Sequence, residues 1–356
     1  MKTKKKIAWG DYITYIGVTA AFIAVTALKN GGALNRSQLG LLVPICAYIT
    51  MAISLNLTVG VLGELSLGHA GFMSIGAFSG IIAAMSLSEL IPSAGVRMAI
   101  AMVTGAVFAG IFGFLIGIPV LRLRGDYLAI VTLAFGEIIK ELINCLIVGY
   151  DSAGLHILIN FDGSKTASDL ELLEGGKAII KGAQGATGTQ TIASFTCGFI
   201  LIMVTLVVVL NLVRSRSGRA IMAIRDNRIA AESVGIEITK YKMMAVVTSA
   251  AIAGAAGALY GLNYSSLTAA KFDFNTSILV LVFVVLGGLG NMWGSIIAAT
   301  VLYILPEALR SFADYRMLLY AVTLIVVMLT TNSSAIQNLL KRLLPGKKEE
   351  EEESNG

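Results

Sequence analysis

Apolar residues in this chain gather in long runs, and the polar residues between them collect in short clusters. A helix needs around 20 residues to cross about 30 Å of hydrocarbon. Runs of that order recur at 12–28, 40–62, 66–87, 96–119, 127–148, 191–213, 243–262, 277–289, 293–309 and 315–331. The pattern predicts an all-α fold, a polytopic transmembrane helical bundle of about ten spans (eight to ten), with broken or re-entrant glycine-rich segments. The third run opens in such a segment. The eighth and ninth are short and are split by GGLGNMWG, so they form one broken element or two helices.

Composition sharpens this picture. The 356 residues are 56% hydrophobic and 14% charged, whereas soluble domains carry about 25% charged residues. Glycine, with 38 copies, is favoured where membrane helices pack closely. The net charge of +5 does not point to nucleic acid, because the basic residues sit beside the apolar runs. Cys46, Cys145 and Cys197 lie within apolar runs without CxxC spacing and read as small buried hydrophobes. MKTKKK before an apolar run resembles a signal peptide, but no clean small-residue cleavage site follows, so the first span is expected to be retained.

Lys and Arg near span ends set orientation. With ten spans and a cytoplasmic N-terminus, 17 of the 27 basic residues fall on the inner side. They lie in the N-terminal cluster, at Arg122 and Arg124, in 214–242 and in the C-terminal tail. Both termini are therefore expected in the cytoplasm. Residues 1–332 read as the transmembrane domain, with 149–190 as an external connector, and 333–356 as a cytoplasmic charged tail of disorder-like composition.

The segment RSRSGRAIMAIRDNRIAAESVGIEITKYK, 214–242, is too polar for hydrocarbon yet carries helix punctuation. Asp226 or Asn227 suits an N-cap and Gly235 a stop. An ordinary topology-setting loop explains its charge, with Arg219, Arg225 and Arg228 near the headgroups. Caps and a small-residue face at Ala230, Ala231 and Gly235 fit a docking surface.

Glycines 68, 71, 76 and 80 recur in GELSLGHAGFMSIGAFSG, and small residues at such spacing allow close helix approach or a backbone-lined cavity. Glu64 reads as a charge at a helix start and His69 as a hydrogen-bonded packing group rather than a proton carrier. Asp126 in RLRGDY reads as an N-cap. Glu137, Lys140 and Glu141 share one helix face, where they pair or line an external vestibule. GGLGNMWG resembles the 63–71 run loosely, as in transporters built from repeats. No GxxxxGK[ST] phosphate loop, HExxH or GxSxG occurs, so the sequence is not that of an enzyme.

IAAESVG resembles the EAA-type cytoplasmic loop of ABC-transporter permeases, with Ile229 where that pattern has glutamate. Together with GELSLGHAGFMSIGAFSG, LRLRGDYLAIVTLAFGEI and VLGGLGNMWGSIIAA, it makes residues 40–330 similar to the LivM-type permeases of branched-chain amino acid importers. The resemblance implies a bacterial inner-membrane subunit that pairs with a homologous second permease, contacts membrane lipid and receives solute from an external substrate-binding protein. Two ATPase subunits would use ATP and Mg, this chain binding no cofactor or metal. They would dock through Arg219, Arg225, Asp226, Asn227, Arg228, Ala230, Ala231 and Gly235. Pathway candidates are Ser66, Gly68, His69, Gly71, Phe72 and Gly76, with Gly287, Gly288 and Gly290. The alternative is an ion-coupled secondary transporter of small amino acids or amides, which needs midplane carboxylates. Glu137 is the only candidate well inside a run.

Overall fold

The computed structural model describes residues 9–309, apart from 33–34, 122, 124, 152–153, 162–163, 171 and 173–175, together with 322 and 325. The N-terminal basic cluster, Arg122, Arg124, most of the tenth apolar run and the charged tail lie outside the described residues. The first apolar runs form α1 (Trp9–Asn30) and α2 (Arg36–Asn56), and α2 continues as a π-helical turn over Leu57–Leu62. Gly63, at φ +80°, ends that turn, and residues 63–68 run without regular structure into α3 (His69–Ser86). Next come α4 (Ala94–Val120) and α5 (Asp126–Asn144). After the polar connection α6 (Phe195–Arg214) leads into two short helices, α7 (Arg216–Asp226) and α8 (Arg228–Ser233). α9 (Ile238–Gly261), α10 (Phe274–Gly287) and α11 (Met292–Ala308) complete the described helices.

Among the described residues five helices are long and apolar enough to cross a membrane: Arg36–Leu62, His69–Ser86, Ala94–Val120, Phe195–Arg214 and Ile238–Gly261. The fold is mostly helical, but the all-α expectation needs correction. Residues 146–190 build most of a five-stranded antiparallel sheet instead of a plain connector. Its order is β2-β1-β3-β4-β5, from β1 (Leu146–Asp151), β2 (Gly154–Ile159), β3 (Lys177–Lys181), β4 (Ala186–Thr187) and β5 (Ser266–Leu267). The β-branched stretches LIVGYD and KAIIK suit strands, and adjacent Ile147 and Val148, like Ile179 and Ile180, are all buried, so both faces of the sheet are covered there. The fifth apolar run is accordingly cut short: its helix ends at Asn144, and 146–148 belong to β1.

α3, α4 and α9 pack at backbone distance. A Cβ built on Gly76 would lie 2.0 Å from the Gly254 carbonyl oxygen, and one on Gly254 would lie 2.3 Å from the Gly105 carbonyl oxygen. A Cβ on Gly257 would lie 1.9 Å from the Met73 carbonyl oxygen. The outer side of α4 exposes Val103, Val107, Phe108, Ile111 and Phe114, an apolar face fit for lipid. The chain divides into two compact units, Met1–Thr300 and Val301–Gly356; the second contains the closing turns of α11 and helical positions 322 and 325.

Candidate functional site

The interruption between α2 and α3 creates the polar interior. Residues leaving a helix strand its last carbonyls, and those entering one strand its first amides. Here side chains from neighbouring helices take up several of them. Thr132 Oγ1 accepts from Leu67 N at 3.0 Å, and Ser277 Oγ accepts from Ala70 N at 3.1 Å. His69 is buried, and its Nε2 lies 2.7 Å from Ser54 Oγ, as expected of a packing group. Ser249 Oγ donates to the Ser54 carbonyl at 2.6 Å. Glu64 does not open a helix, since it lies in the irregular 63–68 stretch ahead of α3. It forms an ion pair with Lys242 of α9, whose side chain is 5% exposed against 18% for the glutamate.

A cavity of about 30 Å³ opens beside this interruption, bordered by Thr58, Glu64, Ser66, His69, Phe72 and Thr132 among others. That is room for about two waters. Ser66, His69 and Phe72 therefore meet at one cavity. Gly68 and Gly71 stand behind it, where a Cβ would lie 2.1 Å from the Thr132 carbonyl oxygen and 3.0 Å from Gly136 Cα respectively. Gly76 lies deeper, in the helix packing. Gly287, Gly288 and Gly290 do not border the cavity; they shape the α10–α11 turn, with φ +93° at Gly288 and +82° at Gly290.

That turn nevertheless meets the π-helical end of α2. Asn56, fully buried, accepts from Gly290 N at 2.8 Å through Oδ1 and donates to Ser295 Oγ at 3.0 Å through Nδ2. A Cβ on Gly60 would lie 2.2 Å from Gly290 N. The two glycine-rich motifs are thus spatial neighbours. Asn56 was absent from the residues singled out by sequence, although an asparagine inside ISLNLTVG is a visible signal. Glu137 pairs with Lys140 on α5, and Glu141 lies 3.8 Å from the same ammonium.

The 214–242 segment is an ordered two-helix unit. Ser215 caps α7 by accepting from Gly218 N at 3.1 Å, and Asn227, rather than Asp226, caps α8 by accepting from Ala230 N at 3.0 Å. Gly235, at φ +82°, ends α8 in a Schellman arrangement, with Gly235 N bonded to the Glu232 carbonyl and Ile236 N to the Ala231 carbonyl. Ile224, Ala231 and Ile238 form a small core beneath it. Of the alanine pair only Ala230 faces outward, since Ala231 is 3% exposed. Ile229 at 81% and Val234 at 75% exposure stand beside exposed Ala230 and Gly235 on this short unit. Arg219 donates to the Arg214 carbonyl at 3.2 Å, and Arg228 is half-buried. Arg225 stays 40% exposed but also reaches inward: Nη1 donates to the Gly60 carbonyl at 3.0 Å, while Nε and Nη2 hold Asp226 Oδ1 at 3.1 and 3.0 Å.

The sequence profile of the family described as "Branched-chain amino acid transport system / permease component" matches residues 37–328. The chain belongs to this family. It is 36% identical over 285 residues to the high-affinity branched-chain amino acid transport system permease protein LivM of Escherichia coli, covering 76% of this chain and 63% of that protein. It is 35% identical to its Salmonella typhimurium counterpart, with the same coverage. The chain thus spans under two thirds of those relatives' length. It is also 26% identical over 319 residues to the fructose import permease protein FruG of Bifidobacterium longum, covering 83% and 90% of the two chains. No solved structure matches it. Family membership and the five long apolar helices support a multi-pass inner-membrane protein.

Proposed function

We propose that this chain is the membrane-spanning subunit of an ATP-driven importer of branched-chain amino acids. In this reading about ten spans place both termini in the cytoplasm. A homologous second permease completes the pathway, an external binding protein delivers the solute, and two ATPase subunits grip the 214–242 segment. Family membership supports the transport role. The observation that carries the coupling is the α7–α8 unit: a loop that only set topology would need neither three caps nor an internal core. Its exposed Ile229, Ala230 and Val234 form a short apolar helix face of the kind that docks in a groove on another protein. Glu137, the carboxylate an ion-coupled carrier would need, is held by Lys140, which favours the ATP-driven reading.

The test has two arms. Changing Ala230→Glu together with Val234→Glu leaves the permease inserted and removes the ATPases from the purified complex; their retention refutes docking here. Separately, the reconstituted complex is offered leucine, isoleucine, valine, short amides and fructose, with and without ATP. ATP-dependent uptake of the three amino acids is expected. Uptake of fructose or amides instead overturns the substrate, and accumulation by this chain alone on an ion gradient overturns the mechanism.

A further inference from the structure

We propose that Arg225 is the positioning residue through which movement of the α7–α8 unit reaches the interruption between α2 and α3. This rests on the docking of ATPases at 214–242 and adds the route by which their motion enters the bundle.

Gly60 sits in the π-helical turn that closes α2, and such turns concentrate at functional sites. The chain leaves the helix at Gly63, and the amide of Glu64, which would normally reach back to Gly60, bonds instead to the Thr58 carbonyl. The Gly60 carbonyl receives Arg225 in its place, 165 residues away in sequence. The arginine stem lies against Gly63, where a Cβ would fall 2.6 Å from its Cγ. Its fork also meets the neighbouring Asp226 on the exposed side, so the guanidinium bridges α7 and the α2 turn. Gly290, tied to Asn56, also packs on Gly60, where an added Cβ would lie 2.2 Å from Gly290 N. A shift of α7 is therefore felt at this point through the Arg225 hydrogen bond and the stem packed on Gly63. It displaces the α2 turn, and with it the α10–α11 turn.

The reconstituted complex with its ATPases and binding protein tests this through two readouts, ATPase co-purification and solute taken up per ATP hydrolysed. Arg225→Ala is expected to keep the ATPases bound while uptake per ATP falls on the order of ten-fold, within the range of allosteric couplings. Arg225→Lys, which retains one donor to the Gly60 carbonyl, is expected to recover at least half of it and serves if the alanine variant does not insert. Loss of the ATPases from Arg225→Ala, as in the Ala230/Val234 variant, would make Arg225 a docking residue and overturn the relay while leaving docking intact. Unchanged uptake per ATP in both arginine variants would also overturn it. Retention of ATPases by the Ala230/Val234 variant would instead sink the docking reading.

Discussion

Adding one methyl group at Gly76 tests the close packing of α3 on α9. The Cβ of Gly76→Ala would lie 2.0 Å from the Gly254 carbonyl oxygen, where ordinary contact begins at 3.4 Å, so about 1.4 Å must be opened. The atoms it meets are Gly254 O, Cα and C, backbone that no rotamer change can clear. A gap of about 0.5–1 Å already forfeits a quarter to a half of the dispersion energy of neighbouring atom pairs, and this one is wider; overpacking of this kind costs about 1–3 kcal/mol. With backbone on both sides we take the upper end, about 3 kcal/mol. Alanine's better helix propensity returns up to about 1 kcal/mol, leaving a net loss of about 2 kcal/mol. Gly40→Ala is the control, because it lies in α2 with nothing within 4 Å of the added Cβ and should gain stability. Thermal unfolding of the detergent-purified variants, followed by loss of the monodisperse peak, reads both signs. A Gly76→Ala protein that melts at or above the unmodified temperature would refute the backbone-contact argument.

Two further outcomes follow from charged groups. Lys242→Ala strands the Glu64 carboxylate in a mostly buried place and should cost about 3–5 kcal/mol. Glu64→Gln with Lys242→Met should recover most of that loss, and a double-mutant cycle on melting temperature measures the difference. Burial of Asp273 opposes its ionisation, but hydrogen bonds from Thr276 N and the Asn275 amide outweigh this, and Lys140 assists, so its carboxyl lies below the usual range. A depressed carboxylate contributes stability above its unfolded value of about 3.9, and that contribution disappears as pH falls through the folded value. Melting scans should therefore show no Asp273-dependent change above about pH 5. Asp273→Ala should lower stability near neutrality by about 1 kcal/mol, the worth of an N-cap, and flatten the acid limb, whereas Asp273→Asn should retain most of the cap.

Much of this architecture was legible because membrane helices announce themselves by length and apolarity. The caps of the α7–α8 unit were readable in part: Gly235 is defined by local chemistry, whereas Asp226 stood open beside Asn227 and Ser215 was not marked. The sheet was hidden because LIVGYD prolongs the apolar run of α5 and merges with it by composition. The partnerships at the site were hidden for a different reason. Arg225 with Gly60, Lys242 with Glu64 and Asn56 with Gly290 lie 165, 178 and 234 positions apart, and no periodicity links them. Ala230 and Ala231 illustrate a finer limit: neighbours on a helix point about 100° apart, so one composition supports a surface residue and a core residue side by side.

The glycine seams joining α3, α4 and α9 have a kinetic corollary. Helices interlocked carbonyl to carbon cannot slide or roll past one another without first separating, so they will turn over as a single rigid body. Any alternation between two openings of the pathway must then be a rocking of this trio against helices bound through longer side chains. Exchange between conformers should leave amide protection along these three helices untouched while it varies in α6.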